Sequence, residues 1–302
     1  MKNLRDIIAT LKSTAEQSKA IVSSPKYHSL KLSLLRATSH DPLTPPDQRH
    51  ITAFLSSGQG PRAASAVAVQ ALMDRLRSSH NAAVSVKCLV LVHHIIRRGS
   101  FILVDQLSTY PSSGGRNCLK LSDFRDDSTA LAWDLSSWVR WYARYLEHQV
   151  CYCKLLEPFS CLSAKEVDFA REDDRLTTLT NVQLVKEMES LVGLVEETCL
   201  MPQSIVKGNM VVQHIIGLVG GDATVCMKAM AARVKELNHR IECFSYSDYL
   251  ELVLALNRLE SCYFVMVALY PKIENESAWL LLSNLSKKVR KKEPFEELEG
   301  KF

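Results

Sequence analysis

Glycine and proline are scarce in this chain, at 11 and 10 of 302 residues, and most of them fall at a few breaks. Segments of strict polar–apolar alternation are missing too, so there is no basis for proposing a sheet. No run of 18 or more apolar residues occurs, and by that criterion nothing spans a bilayer. The first twenty residues, MKNLRDIIATLKSTAEQSKA, carry charges throughout and lack the apolar centre of a signal peptide. The expected location is therefore the cytosol, or a membrane approached from that side.

Chemistry-bearing motifs are also missing. There is no glycine-rich phosphate loop, no GxSxG and no HExxH. The nine cysteines (88, 118, 151, 153, 161, 199, 226, 243 and 262) are odd in number and scattered. Cys151 and Cys153 form a CxC, but no CxxC and no histidine stands at finger spacing. Reduced thiols packed as small hydrophobes is the expected state. The carboxylate clusters Asp126-Asp127, Glu172-Asp173-Asp174 and Glu296-Glu297 read as solvated loop or cap residues. No enzyme, no cofactor and no metal is expected.

What is present is apolar material for a core: 47% of residues are hydrophobic and 23% charged, with mean hydropathy near zero. Charge is unevenly spread. Residues 1–100 hold 14 Lys and Arg against 5 Asp and Glu, a balance of +9, and the remainder carries −5, giving the overall +4. Six of the nine histidines lie in the same first hundred. A basic first third implies an anionic partner for that part: lipid headgroups, a nucleic-acid backbone or an acidic protein.

Apolar residues recur at three- and four-residue steps along much of the chain, the signature of helices. Leu135, Trp138, Val139, Tyr142, Leu146 and Val150 form one such face. Leu184, Met188, Leu191, Val192, Val195 and Cys199 form a second, and Cys226, Met230, Val234, Leu237 and Ile241 a third. The run from Val84 to Ile96 is apolar nearly all round, as expected for a central buried helix, and His93-His94 within it read as packing histidines. Breaks are expected at 40–48, 56–62, 110–117, around 163–182, at 201–204 and at the Gly220-Gly221 pair. After Pro271 the sequence reads as a polar tail. The fold class is all-α, a stack of helices without a fixed repeat.

One junction could bind phosphate. A helix carrying Lys31 and Arg36 ends near Thr38, the proline-rich loop SHDPLTPPDQ follows, and Gln48-Arg49-His50 opens the next helix. Basic side chains from two helices would meet there beside exposed backbone N–H groups.

These residues resemble the phosphoinositide signature of the ANTH domain, the lipid-binding module of clathrin assembly proteins, and of its plant members in particular. Arg36-Ala37-Thr38 is similar to the opening of that signature and Arg49-His50 to its closing basic–histidine pair, across a loop one residue longer. VKCLVLVHHIIRRGS at 86–100 and LKLSDFRDDSTALAWDLSSWVRWYARYLEHQ at 119–149 resemble two further blocks of the family. The likeness is strong to about residue 160 and weaker to about 270.

The resemblance implies a right-handed superhelical stack of about eight to eleven helices, ENTH/VHS-like and of ANTH type, over 1–270, with 271–302 as a short basic tail. It implies an adaptor that binds phosphatidylinositol 4,5-bisphosphate through Lys31, Arg36, Arg49 and His50 in clathrin-coated vesicle formation and endocytosis. Clathrin-coated pits and vesicles, and the Golgi apparatus, are the implied places. Clathrin heavy chain is a partner by inheritance only, because the DPF, NPF and DLL peptides of the family are absent. Asp47 stands near the family's first motif lysine, which removes favourable charge from the site.

Lys287, Lys288, Arg290, Lys291 and Lys292 form a second basic run that could anchor to anionic lipid. The alternative reading is a protein-interaction scaffold for a vesicle SNARE or cargo tail, with weak lipid specificity. A nucleic-acid binder is not expected, since no reading helix or stacking aromatics are recognisable.

Overall fold

The computed structural model describes residues 25–111, 119–155, 169–203, 208–271 and 276–291. Among them are eleven α-helices and no strand, in agreement with the all-α expectation. The chain divides into two compact units, Met1–Val150 with Pro202–Ile215, and Cys151–Met201 with Ile216–Phe302.

The first unit opens with α1 (Pro25–Ala37), α2 (Gln48–Ser57), α3 (Arg62–Ser78), α4 (Ala82–Arg98) and α5 (Phe101–Ser108). α4 is its centre, with every residue from Ala82 to Ile96 buried, and α2, α3 and α5 pack on it. Asn81 caps α4 by accepting from the Val84 amide at 3.0 Å. A second acceptor comes from Asp126, whose carboxylate takes the Ala82 N–H at 2.7 Å and is itself fixed by Ser128. This member of the Asp126-Asp127 pair is thus buried and structural, while Asp127 is exposed.

Helix α6 (Ala130–Leu155) supplies Trp138, Trp141, Tyr142 and Tyr145, all at most 2% exposed and in mutual ring contact. His93 of α4 meets Tyr142 at 2.6 Å between Nδ1 and the hydroxyl. The paired histidines are buried as expected.

His94 is the costlier of the two. Its ring lies 5.9 Å from that of His214, and neither of its nitrogens has a hydrogen-bond partner. Burial first, then Arg98, His93, His214 and Arg97, push its pKa down to about 3. In the unfolded chain it titrates near 6.5. Between those values the unfolded state binds the extra proton, so stability is full above about pH 6.5 and declines as pH falls. Urea unfolding should show the protein about 2 kcal/mol less stable at pH 5 than at pH 7 from this group. His94→Leu should remove most of that difference, and an unchanged pH dependence in the variant would exclude His94 as its source.

The second unit contains α7 (Phe169–Thr178), α8 (Asn181–Cys199), most of α9 (Met210–Arg240), α10 (Tyr246–Leu269) and α11 (Glu276–Arg290). α10 packs along α8 and also against α11. The three faces read from periodicity are buried, apart from the half-buried Val150 and Cys199 at their ends.

Three expectations are corrected here. The polar stretch near 163–182 includes a helix, α7, because its charges are used in ion pairs with the core. Arg175 of α7 binds Glu187 of α8 at 2.7 Å, and Glu172 reaches Arg233 of α9 at 3.0 Å. Gly220-Gly221 makes no break, since both lie inside α9. A Cβ on Gly220 would stand 2.8 Å from the Tyr270 ring, so close approach and not a turn requires glycine there. Within the expected tail, residues 276–290 form a helix whose Ala278, Leu282, Leu285 and Val289 are buried at helical spacing.

The cysteines also divide. Cys88, Cys226 and Cys262 are buried, Cys151 and Cys243 are exposed, and Cys153 is disulfide-bonded, so uniform packing as buried reduced thiols does not hold.

Two helical stretches, Met210–Cys243 and Tyr246–Leu269, are long and apolar enough by length and composition to cross a membrane. A scan for unbroken apolar runs passes over them because charges interrupt both. Two of those charges pair across helices, Arg233 with Glu187 and Arg258 with Glu196.

Candidate functional site

The junction between α1 and α2 forms because each helix end has its chemistry in place. α1 stops at Ala37 with Arg36 in its last turn, where a cation favours the helix dipole. α2 starts at Gln48 with Asp47 as its N-cap, the carboxylate accepting the Arg49 amide at 2.8 Å. The two helices pack on one another through Leu30 and Leu34 of α1 and Ile51, Phe54 and Leu55 of α2, all buried.

This pairing places Arg36 at the end of one helix and Arg49 and His50 in the first turn of its neighbour. Lys31, Arg36 and Arg49 are exposed and His50 is half-buried. Among the described residues, no carboxylate pairs with any of these four side chains. Four cationic or ionisable groups are therefore left for an outside anion. The 287–292 run differs. Arg290 is tied to Glu260 at 2.6 Å and to Asn257 at 2.8 Å, and Lys288 donates to Asn238. Lys287 and Lys291 are exposed, and Lys292 lies outside the described residues.

Sequence reasoning missed what fixes the loop between the two helices. Lys87, 1% exposed on α4, sends its ammonium to Ser39 Oγ at 2.9 Å and the Asp41 carbonyl at 2.7 Å. Burial, partly offset by Asp41, lowers its pKa. Arg75 of α3 donates to the Thr38 hydroxyl and, at 2.8 Å, to its carbonyl, closing the C-terminus of α1. Asn209, just before α9, donates to the Pro42 carbonyl at 2.9 Å. A lysine inside the apolar run 84–96 was the available signal, because a buried ammonium requires acceptors.

Asp47 also takes a different meaning. It satisfies an amide that helix α2 would otherwise leave free. The same carboxylate adds negative charge beside Arg49.

The ANTH domain family model matches residues 29–216, which include this junction and the whole of α4. Relatives in Arabidopsis thaliana bear the provisional name of clathrin assembly protein. One is 44% identical over 262 residues, covering 85% of this chain and 72% of that protein. A second is 30% identical over 230 residues, with 72% of this chain but only 38% of the relative covered. A third is 30% identical over 284 residues, covering 87% of this chain and 90% of the relative.

Proposed function

The chain belongs to the ANTH domain family, and from that premise we propose that it is a peripheral membrane adaptor that binds phosphoinositide headgroups, phosphatidylinositol 4,5-bisphosphate foremost, during clathrin-coated vesicle formation. The observation that carries this reading is the set of unpaired basic side chains at the α1–α2 junction, on a loop held by Lys87, Arg75 and Asn209. Arginine offers two parallel N–H donors to phosphate oxygens, and Lys31 adds a point charge nearby. His50 adds a ring N–H donor from the first turn of α2. A fixed loop spares the site the entropy of assembling on each encounter.

The lipid-binding domain in this reading runs over 1–270, and α11 with its basic end is an appended element that adds non-specific attraction. Residence is at clathrin-coated pits and vesicles, with Golgi-derived carriers as a further membrane. Clathrin itself comes from the names of the relatives, and this sequence offers no DPF, NPF or DLL peptide to bind the usual coat partners.

A second reading, a scaffold for a vesicle SNARE or cargo tail, has one observation in its favour. α10 exposes Leu250, Leu254, Phe264 and Val265, with Phe264 81% exposed.

Liposome co-sedimentation across phosphoinositide species at equal total charge and physiological salt tests the proposal. Selective pelleting with a bisphosphate lipid is expected. Pelleting that follows total negative charge alone would overturn the headgroup assignment. Retention on SNARE helices without headgroup selectivity would favour the second reading.

A further inference from the structure

The second unit holds two cysteines that meet from helices far apart in sequence. Cys199 closes α8 and is half-exposed, and Cys262 faces it from the middle of α10 at 6% exposure. The Cys199 thiol donates to the Cys262 backbone carbonyl at 3.7 Å. Cys262 also reaches the Arg258 carbonyl at 3.5 Å. The guanidinium of that Arg258 is fixed one turn before Cys199 by Glu196. A disulfide, ~2.05 Å between sulfurs, requires two cysteines whose backbones lie close together, and here the sulfur of one already touches the backbone of the other.

We infer that Cys199 and Cys262 are a peroxide-responsive thiol pair, closing to a disulfide that fastens the end of α8 to α10. Their chemical roles differ. The Cys199 hydrogen bond, then the Ser261 hydroxyl and the Arg258 charge, bring the Cys262 thiol down to about 7 against burial and Glu196. The same hydrogen bond, with burial, pushes the Cys199 thiol up. With Arg258 one turn before it on the same helix, Cys262 is assigned the thiolate, and the half-exposed Cys199 the resolving thiol. Hydrogen peroxide is small enough to enter beside the half-exposed Cys199. The Cys262 thiolate attacks one peroxide oxygen and breaks the O–O bond, giving a sulfenic acid and hydroxide, which takes a proton to become water. The Cys199 sulfur then attacks the sulfenic sulfur. The S–S bond forms, the S–OH bond breaks, and the thiol proton leaves with the hydroxyl as a second water. Overall, two thiols are oxidised and one peroxide is reduced. Cys243 and Cys151 are exposed, and they serve as the comparison for exposure alone.

The experiment treats the whole reduced protein with dilute hydrogen peroxide, alkylates what remains free, digests without reductant and analyses peptides by mass spectrometry. The expected product is a peptide pair joined through Cys199 and Cys262, two hydrogens lighter than the reduced peptides and separated by dithiothreitol. Cys243→Ser should leave its yield unchanged. Cys199→Ser should abolish it and leave Cys262 trapped as a sulfenic acid by a 1,3-dione. Recovery of both cysteines alkylated, or of disulfides that join either one to Cys243 or Cys151 at equal yield, would overturn the inference. The wild-type digest decides this even if a serine variant folds poorly.

Discussion

Changing Arg36, Arg49 and His50 together to Glu should weaken binding to bisphosphate-containing vesicles by more than about a thousandfold, while the helical content and unfolding midpoint stay close to wild type. Each arginine reversal shifts the local charge by two units and the histidine change by one, about five units in all. At ~1 kcal/mol per charge near an anionic surface, the loss approaches 5 kcal/mol, and each 1.4 kcal/mol is tenfold. Stability should hold because the two arginines are exposed, His50 is only half-buried and no side-chain bond of the three holds the fold. The helix ends argue the same way. Glu at 49 and 50 suits the first turn of α2, whereas Glu at 36 opposes the dipole at the end of α1 by less than about 1 kcal/mol.

A control carries equal weight. Lys228→Glu with Lys235→Glu changes charge on exposed residues of α9 in the second unit, and it should reduce binding far less. Equal losses in both variants would mean that net charge, not the α1–α2 junction, holds the membrane.

The second large effect is on stability. Glu187→Ala should cost ~3–5 kcal/mol, the range for stranding a buried ionic partner. Glu187 is 3% exposed and accepts four hydrogen bonds, two from Arg175 and two from Arg233. Arg233 is fully buried, so without Glu187 its guanidinium would keep only Glu172 and the Ala229 carbonyl. Burial opposes ionisation of Glu172, but the Arg175 hydrogen bond and the Arg233 charge outweigh it and hold that carboxyl below its usual value. The group is therefore a closed cage of two acids and two bases.

The physics also sets the sign of a double change. Glu187→Leu with Arg233→Met leaves neither charge stranded, and Arg175 still pairs with Glu172. It should cost less than the sum of the single changes, which guanidinium titration and a double-mutant cycle would measure. A Glu187→Ala loss below 1 kcal/mol would show that water reaches the cage and screens it.

Much of the fold was legible because helical periodicity is a local property. The faces at 135–150, 184–199 and 226–241 were read from spacing alone, and so was the burial of 84–96. The two punctuation errors share one cause. Gly220-Gly221 has the composition of a turn, and Glu172-Asp173-Asp174 that of a solvated loop. Their roles come from partners distant in the chain: the Tyr270 ring for Gly220, and Arg233 for Glu172. The candidate site was half legible. Arg36, Arg49 and His50 stood out by their motif, but the residues that shape the loop around them sit on α3, on α4 and ahead of α9.

The sequence by itself determined the helical class, the basic character of the first hundred residues and the two helix ends that meet at the junction, because propensity, charge and capping act over a few residues. Only the tertiary structure decided that Lys87 points its ammonium at the loop, that Asp47 serves as a cap, that Arg290 is neutralised by Glu260 and that Cys199 meets Cys262. Each of these depends on which surfaces bury one another, and burial is what turns an ordinary polar side chain into one that must find a partner.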